Sequence, residues 1–382
     1  MFPLRSGKIE KTTRAMAEEK DTITAEPAPQ LKPVNVDDKK IYVGLVGNYP
    51  ESEETRFLLT PEACGLVTSG GIHVCMEAGA GIDIDFSDDK YAEYGVEIVD
   101  REKALAQNVV LSYSPLKNED IRKMRDGATL LCMMDSTLFN PGAIQSLLEK
   151  KITLGCLNNM LSYNEDPVFA NIVDEIDGRA AILYAQENLS YLGGGKGVLL
   201  GAVSGVNPCE VLLIGEGREI LAAANAAIER GAIVTLMNND ISALHVARQI
   251  CGKHLLTLAI HPRVLLNKIQ TADVILLGNT TRPFELPKKI TMAMKDNAFV
   301  LDFNESHPSV CVPRTVAMAL SNVLVNFLSD MALMEGFKPM LATTPGVQRG
   351  IITYQGKLVN KLIATYLGMP CVDISVMLAH SN

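Results

Sequence analysis

The sequence predicts an α/β protein built from two doubly wound units, each a parallel sheet covered by helices on both faces. Three observations lead there. Short β-branched, apolar runs alternate with helix-period segments along most of the chain. Those runs show little polar alternation, as strands buried on both faces should. Two long helical stretches, at residues 174–192 and 314–334, divide the chain into blocks. The length agrees: 382 residues, at about 150 per domain, allow two to three domains.

The elements follow in order. Residues 1–40 hold dispersed charges and then three prolines between positions 25 and 33, which reads as a polar, mobile arm. Ile41–Val46 reads as the first strand. Residues 59–68 read as a helix, with Thr60 as N-cap, Pro61 at the first position and Glu62 in the first turn. Gly70 and Gly71 stop it. Ile72–Glu77, Val109–Ser112, 129–133 and 152–156 read as further strands, with helices at 118–124 and 141–150 between them. The helix at 174–192 opens on Asp174, Glu175 and Asp177, an acidic group read as helix-start charge favoured by the macrodipole. It ends at a glycine run, 193–197. A second α/β block spans 210–310, and the helix at 314–334 follows. Residues 346–362 close the chain with glycines and short apolar runs. Two lobes are implied, with the second inserted into the first, although composition leaves the insertion open.

Composition excludes several classes. With 47% hydrophobic and 21% charged residues the chain can bury real cores, so wholesale disorder is excluded. A net charge of −9 offers no basic field for nucleic acid. Eight cysteines show no C-x-x-C pair and no Cys/His cluster at ligand spacing. This disfavours a metal site and a disulfide framework and suits a reducing cytoplasm. Apolar runs are strand-sized, so no membrane span is expected, and the N-terminus lacks the apolar core of a signal peptide. A mean hydropathy of +0.14 fits a soluble protein.

The most informative local pattern begins at residue 209. A strand, 209–214, runs into Gly215-Glu216-Gly217-Arg218-Glu219-Ile220, and a helix follows over 221–230. This is the strand, turn and helix of a dinucleotide-binding, Rossmann-like unit. Gly215 permits the tight turn, and Gly217 lets backbone approach a pyrophosphate at the helix N-terminus. The third glycine of the pattern is replaced by Ile220. The next strand, Ile233–Met237, ends on Asn238 where an acid would hold the ribose hydroxyls, and Asp240 follows two places later. Glu216 and Glu219 add negative charge beside the expected phosphates. Gly215, Gly217 and Asn238 are the candidate contacts for NAD.

Longer motifs resemble those of the alanine dehydrogenase and proton-translocating transhydrogenase α-subunit family. Glu54-Thr55-Arg56-Phe57-Leu58-Leu59-Thr60-Pro61 is similar to its E-x-R-x-x-L-T-P. The segment from Glu77 to Asp88 resembles E-x-G-A-G…F-S-D. Asp174-Glu175-Ile176-Asp177-Gly178-Arg179 resembles S-E-I-A-G-R. The run from Gly194 to Val206 resembles G-G-R-G-V-L-L-G-G-V-P-G-V. Val312-Pro313-Arg314-Thr315 with Leu320-Ser321-Asn322 resembles V-P-R-T…L-T-N. The resemblance covers most of 41–375. It implies two Rossmann-like lobes with a cleft between them. One is a discontinuous substrate lobe, 41–172 plus 312–382, and the other a cofactor lobe, 173–311. It also implies NAD-dependent oxidative deamination of L-alanine to pyruvate and ammonia, and a homo-oligomer, dimer or hexamer.

Carried over residue by residue, the chemistry is thinner than the scaffold. The family's carboxylate-binding arginine falls on Arg56, a residue type suited to bidentate recognition. The P-K-E after the first strand reads Val46-Gly47-Asn48. The substrate lysine of V-L-K-V-K-E-P falls on Ser114. The histidine of L-x-H-L-A falls at Asp135, within Met133-Met134-Asp135-Ser136-Thr137. The aspartate of V-D-x-A-I-D-Q-G-G falls on Ser306. The segment between that motif and V-P-R-T is also shorter here. Loss of such groups costs orders of magnitude in rate. The expectation is therefore an impaired or repurposed family member. Two alternatives stay open. One is an active NAD-dependent dehydrogenase on alanine or another amino or keto acid, with Glu305 and His307 as substitute acid–base groups. The other is a non-catalytic oligomer partner of an active paralogue. His73 reads as strand packing, His245 as surface or interface, and His254 and His261 as strand-edge residues. Cys132, Met133 and Met134 read as core filler.

Overall fold

The structure, a computed structural model, describes residues 40–133, 140–280 and 291–379. The polar arm and the Met134–Asp135 part of the histidine motif lie outside them. The first sheet takes β1 (Ile41–Val46), β2 (Ile72–Glu77), β3 (Glu97–Val99), β4 (Val109–Ser112), β5 (Thr129–Cys132) and β6 (Thr153–Cys156). The chain then leaves for a second sheet of β7 (Glu210–Ile214), β8 (Ile233–Met237), β9 (Leu255–Leu258), β10 (Val274–Leu277) and β11 (Phe299–Asp302). It returns to the first with β12 (Ile351–Tyr354) and β13 (Lys357–Leu358). The first sheet is thus assembled from two separate stretches, with the second sheet inserted between them.

Strand order fixes where a ligand can sit. The first sheet reads β3-β2-β1-β4-β5-β6-β12-β13, and the second β9-β8-β7-β10-β11. β1 to β6 pair in parallel, while β12 runs antiparallel to β6. The second sheet is parallel throughout. In each sheet the winding direction reverses beside the first strand, between β1 and β4 and between β7 and β10. Helices leave to opposite sides there, and a crevice opens at the strand C-termini. Both sheets belong to one compact unit beginning at Lys40.

Helices cover both faces. Among the described residues those up to residue 333, labelled in chain order, are α1 (Pro61–Ser69), α2 (Asp88–Glu93), α3 (Arg101–Leu105), α4 (Asn118–Lys123), α5 (Pro141–Glu149), α6 (Val168–Leu189), α7 (Arg218–Glu229), α8 (Ile241–Cys251), α9 (Pro262–Thr271) and α10 (Pro313–Leu333), and four shorter ones follow. Thr60 caps α1 as expected, its hydroxyl accepting the Ala63 N–H at 3.4 Å. Val43, Leu45 and Leu111 pack on one face of the first sheet, and Val110, Leu130 and Leu154 on the other.

Two expectations need correction. The first long helix begins at Val168, not Asp174. Pro167 starts the helix, and Phe169 and Val173 are buried in its first turns. Asp174, Glu175 and Asp177 therefore lie beyond the helix start and do not cap it. The second concerns α10, which is long and apolar enough, by length and composition, to cross a membrane. Not every apolar run is strand-sized. The apolar face of α10 is packed here, with Val316, Leu320, Leu324, Leu328 and Met331 in the core of the first lobe.

Of the isolated histidines, the reading of His73 as strand packing is corrected: its side chain points to the exposed face of β2. His73 is exposed and stacks on Tyr42 with ring centroids 5.0 Å apart. His245, His254 and His261 are exposed. Cys132 and Met133 are core residues.

Candidate functional site

The two switch points face one cleft of about 820 Å³. The first lobe contributes Tyr49, Arg56, Tyr113 and Ser114 from the segments after β1 and β4. The second contributes Asn279, Phe303, Asn304 and His307 from those after β10 and β11, with Glu219 from α7. Asp174 and Asp177 on α6 close it between the lobes.

Arg56 is buried in the wall. Its Nε and Nη2 donate to the two carboxylate oxygens of Glu54, each at 2.7 Å, and its Nη1 donates to Ser309 Oγ at 3.0 Å. The guanidinium also lies 4.6 Å over the Tyr113 ring. Burial, the largest single influence, works against this cation, and the Glu54 hydrogen bonds together with the charges of Tyr113, Glu54 and Asp177 outweigh it, so Arg56 is held above its usual range. The E-x-R spacing explains the local fold, because Glu54 Oε1 also accepts the Arg56 backbone N–H at 2.9 Å. Thr55 Oγ1 donates to the Val310 carbonyl at 2.6 Å, tying this loop to the chain just before α10.

Ser114, where the resemblance places a lysine, donates through Oγ to Asn48 Oδ1 at 3.0 Å. Asn48 Nδ2 donates to the Arg56 carbonyl at 2.8 Å. A neutral pair holds this corner. Nearby, Lys117 lies 4.3 Å over the Tyr49 ring and is paired with Glu51. Tyr49 donates to Asp120 Oδ2 at 2.6 Å. Burial and that bond push its hydroxyl up to about 12.

The glycine turn is formed. Gly215 and Gly217 have φ of 119° and 130°, values that side chains rarely adopt. Ile220 is fully buried, and the end of β10 accommodates it at Gly278, where a Cβ would lie 2.5 Å from Ile220 Cγ1. The space a third glycine normally leaves is provided by the neighbouring strand. On the ligand side the turn is crowded. A Cβ on Gly217 would lie 2.2 and 2.4 Å from the Glu219 carboxylate oxygens, so this carboxylate lies against the turn. Asn238 is buried beneath it. Its Nδ2 donates to the Gly215 carbonyl at 3.1 Å, and its Oδ1 accepts the Asp240 N–H at 2.9 Å. Burial, reinforced by Asp174 and Asp177, pushes the Glu219 carboxyl up to about 7.

Asp177 Oδ1 accepts the Ser309 N–H at 2.8 Å, and its Oδ2 lies 3.8 Å from His307 Nδ1. Asp174 is pushed up to about 6, by burial first and then by Asp177. Of the two substitute acid–base groups, His307 lines the cleft, whereas Glu305 is exposed and outside its lining. Ser306 is exposed as well. Sequence reasoning missed Asp174, Asp177 and Glu219 as cleft residues. The i, i+3 spacing of Asp174 and Asp177 places both on one helix face and was the available signal.

Two sheets, the first mainly and the second wholly parallel, with their switch points on one cleft define a two-lobed, Rossmann-like α/β protein. Comparison with known proteins gives the family. The alanine dehydrogenase/PNT N-terminal domain matches residues 49–166, and the C-terminal domain of the same family matches 181–304. This chain belongs to the alanine dehydrogenase/PNT family. The alanine dehydrogenase of Methanococcus maripaludis is 25% identical over 84% of this chain and 95% of its own length. That of Bacillus subtilis is 26% identical over 83% and 93%. An L-alanine dehydrogenase structure superposes with a TM-score of 0.77 at 20% identity, covering 86% of this chain and 99% of that one. A transhydrogenase from Sinorhizobium meliloti gives 0.67 at 17%, covering 84% and 99%.

Proposed function

We propose that this chain is a repurposed family member that binds a small organic carboxylate in its cleft and does not deaminate L-alanine with NAD. One observation carries the reading: the Ser114–Asn48 hydrogen bond stands where the resemblance puts the substrate lysine. The pair is neutral, with the Ser114 hydroxyl given to Asn48 and the Asn48 amide to the Arg56 carbonyl, so it offers a reacting carbonyl no cation. Lys117, the lysine that lines the cleft among the described residues, is engaged by Glu51 and Tyr49.

The glycine turn supports the same reading. A pyrophosphate needs open backbone N–H groups at the start of α7. The Glu219 carboxylate lies against Gly217, and Asn238 is committed beneath Gly215. The residues present do not fit a dinucleotide phosphate. Arg56 keeps guanidinium N–H groups beyond those given to Glu54 and Ser309, which suits it to anchor a carboxylate.

An NADH titration followed by cofactor fluorescence tests this, together with alanine-dependent NADH formation. The chain has no Trp, so background is low. No saturable binding at millimolar NADH and no turnover are expected. Micromolar binding with turnover would overturn the reading. It would favour a second one, an active dehydrogenase using His307, which the 3.8 Å approach of His307 to Asp177 supports. A homo-oligomer belongs to the same proposal. Tyr191, Leu192, Leu199 and Val206 stand exposed along one stretch, an apolar surface that a second copy would cover. So does a reducing compartment, since all eight cysteines are free.

A further inference from the structure

The cleft is unevenly charged. Five carboxylates line it, against Arg56 and Lys117. Glu54 is committed to Arg56, and Glu51 to Lys117. Asp177 is engaged by Ser309 and faces His307. Among the described residues Asp174 and Glu219 form no ion pair and accept no hydrogen bond from another residue; the positive charges of Arg218 and His307 reach Asp174, and none reaches Glu219. Glu219 is more than nine-tenths buried and faces the cavity, touching only its own helix start. A buried carboxylate without a counter-charge is costly, and here two others stand beside it.

The crowding is built into the fold. Gly178 on α6 lets α7 approach so closely that a Cβ there would lie 2.1 Å from the Glu219 carbonyl oxygen. Asp174 and Asp177 precede it on the same helix, so α6 carries two carboxyls up to the one on α7. No group of three or more acidic, His or Cys residues converges to hold a metal ion among the described residues. The complementary ligand is then an organic cation, which is larger and can satisfy carboxylates that stand apart. Arg56 reaches the same wall through Ser309, which accepts from Arg56 and donates to Asp177. The volume of about 820 Å³ exceeds the needs of a ligand as small as alanine.

We propose that the cleft binds an amino acid with a cationic side chain, its ammonium held by Asp174 and Glu219 and its carboxylate directed to Arg56. This rests on the reading of Arg56 as a carboxylate anchor. Calorimetric titration of the full chain with L-lysine and L-ornithine tests it, against norleucine and norvaline, which lack the terminal amine, and cadaverine, which lacks the carboxylate. The basic amino acids should bind about tenfold or more tighter than their uncharged counterparts. Glu219→Gln and, independently, Asp174→Asn should each remove most of that advantage. Equal affinity for lysine and norleucine would overturn the cation site and leave the Arg56 reading standing. Glu219-dependent cadaverine binding without binding of any amino acid would support the cation site and overturn the Arg56 reading. No binding of any probe would overturn both.

Discussion

Glu219 shows what a single buried carboxyl does to a protein. Its carboxyl is pushed up to about 7, from an ordinary value of 4.5, by burial and by the neighbouring Asp174 and Asp177. Between those values the folded chain keeps a proton that the unfolded chain has released. The native state then binds more protons than the unfolded state, so stability falls as pH rises through this window. Asp174, raised for the same first reason, acts in the same direction. Urea unfolding should find wild type and Glu219→Gln nearly equal near about pH 5, and the variant more stable by on the order of 2 kcal/mol near about pH 8. A difference independent of pH would mean that Glu219 is not the titrating group. Arg56 presents the opposite case. Arg56→Ala leaves the half-buried Glu54 carboxylate without its partner and should cost about 3 kcal/mol in the same measurement. A loss below about 1 kcal/mol would show that water reaches the pair.

Among the elements, the contact between α6 and α7 governs the site. Gly178→Ala would drive a methyl into the Glu219 carbonyl, and backbone cannot turn aside as a side chain can. The helices must separate, and a loss of about 2 kcal/mol or more is expected in denaturant unfolding. Wild-type stability in the variant would show that α7 can shift freely. The N-cap of α1 is a gentler test, with Thr60→Ala expected to cost about 1 kcal/mol. The strands were legible because each is a short apolar run bounded by polar or glycine residues. The start of α6 was not, because Val168–Val173 lacks the acidic first turn that marks many helix starts. The acids at 174–177 supplied a false one.

At the scale of the molecule, two switch points turned toward each other create the cleft, and a stretch rich in exposed apolar residues flanks the second lobe. If a second copy covers that stretch, Leu192→Asp combined with Leu199→Asp should yield a smaller species by light scattering after gel filtration. An unchanged mass would place the subunit contact elsewhere, or exclude one here.

The resemblance marked the departures from the family motifs at Ser114, Asp135 and Ser306, and local pattern alone determined the alternation of strands and helices and the Gly215–Gly217 turn. Those features repeat at short range, so adjacent residues encode them. Motif matching likewise picked out Arg56, but not that Glu54 and Ser309 hold it. Only the tertiary structure decided which groups face one another. It brought Ser114 to Asn48, left Glu305 outside the cleft while admitting His307, and set Glu219 against Asp174 and Asp177. The reason is physical. Charges far apart in sequence meet through helix packing and strand order, and the close approach that joins them here depends on a missing side chain at Gly178, which no local periodicity announces.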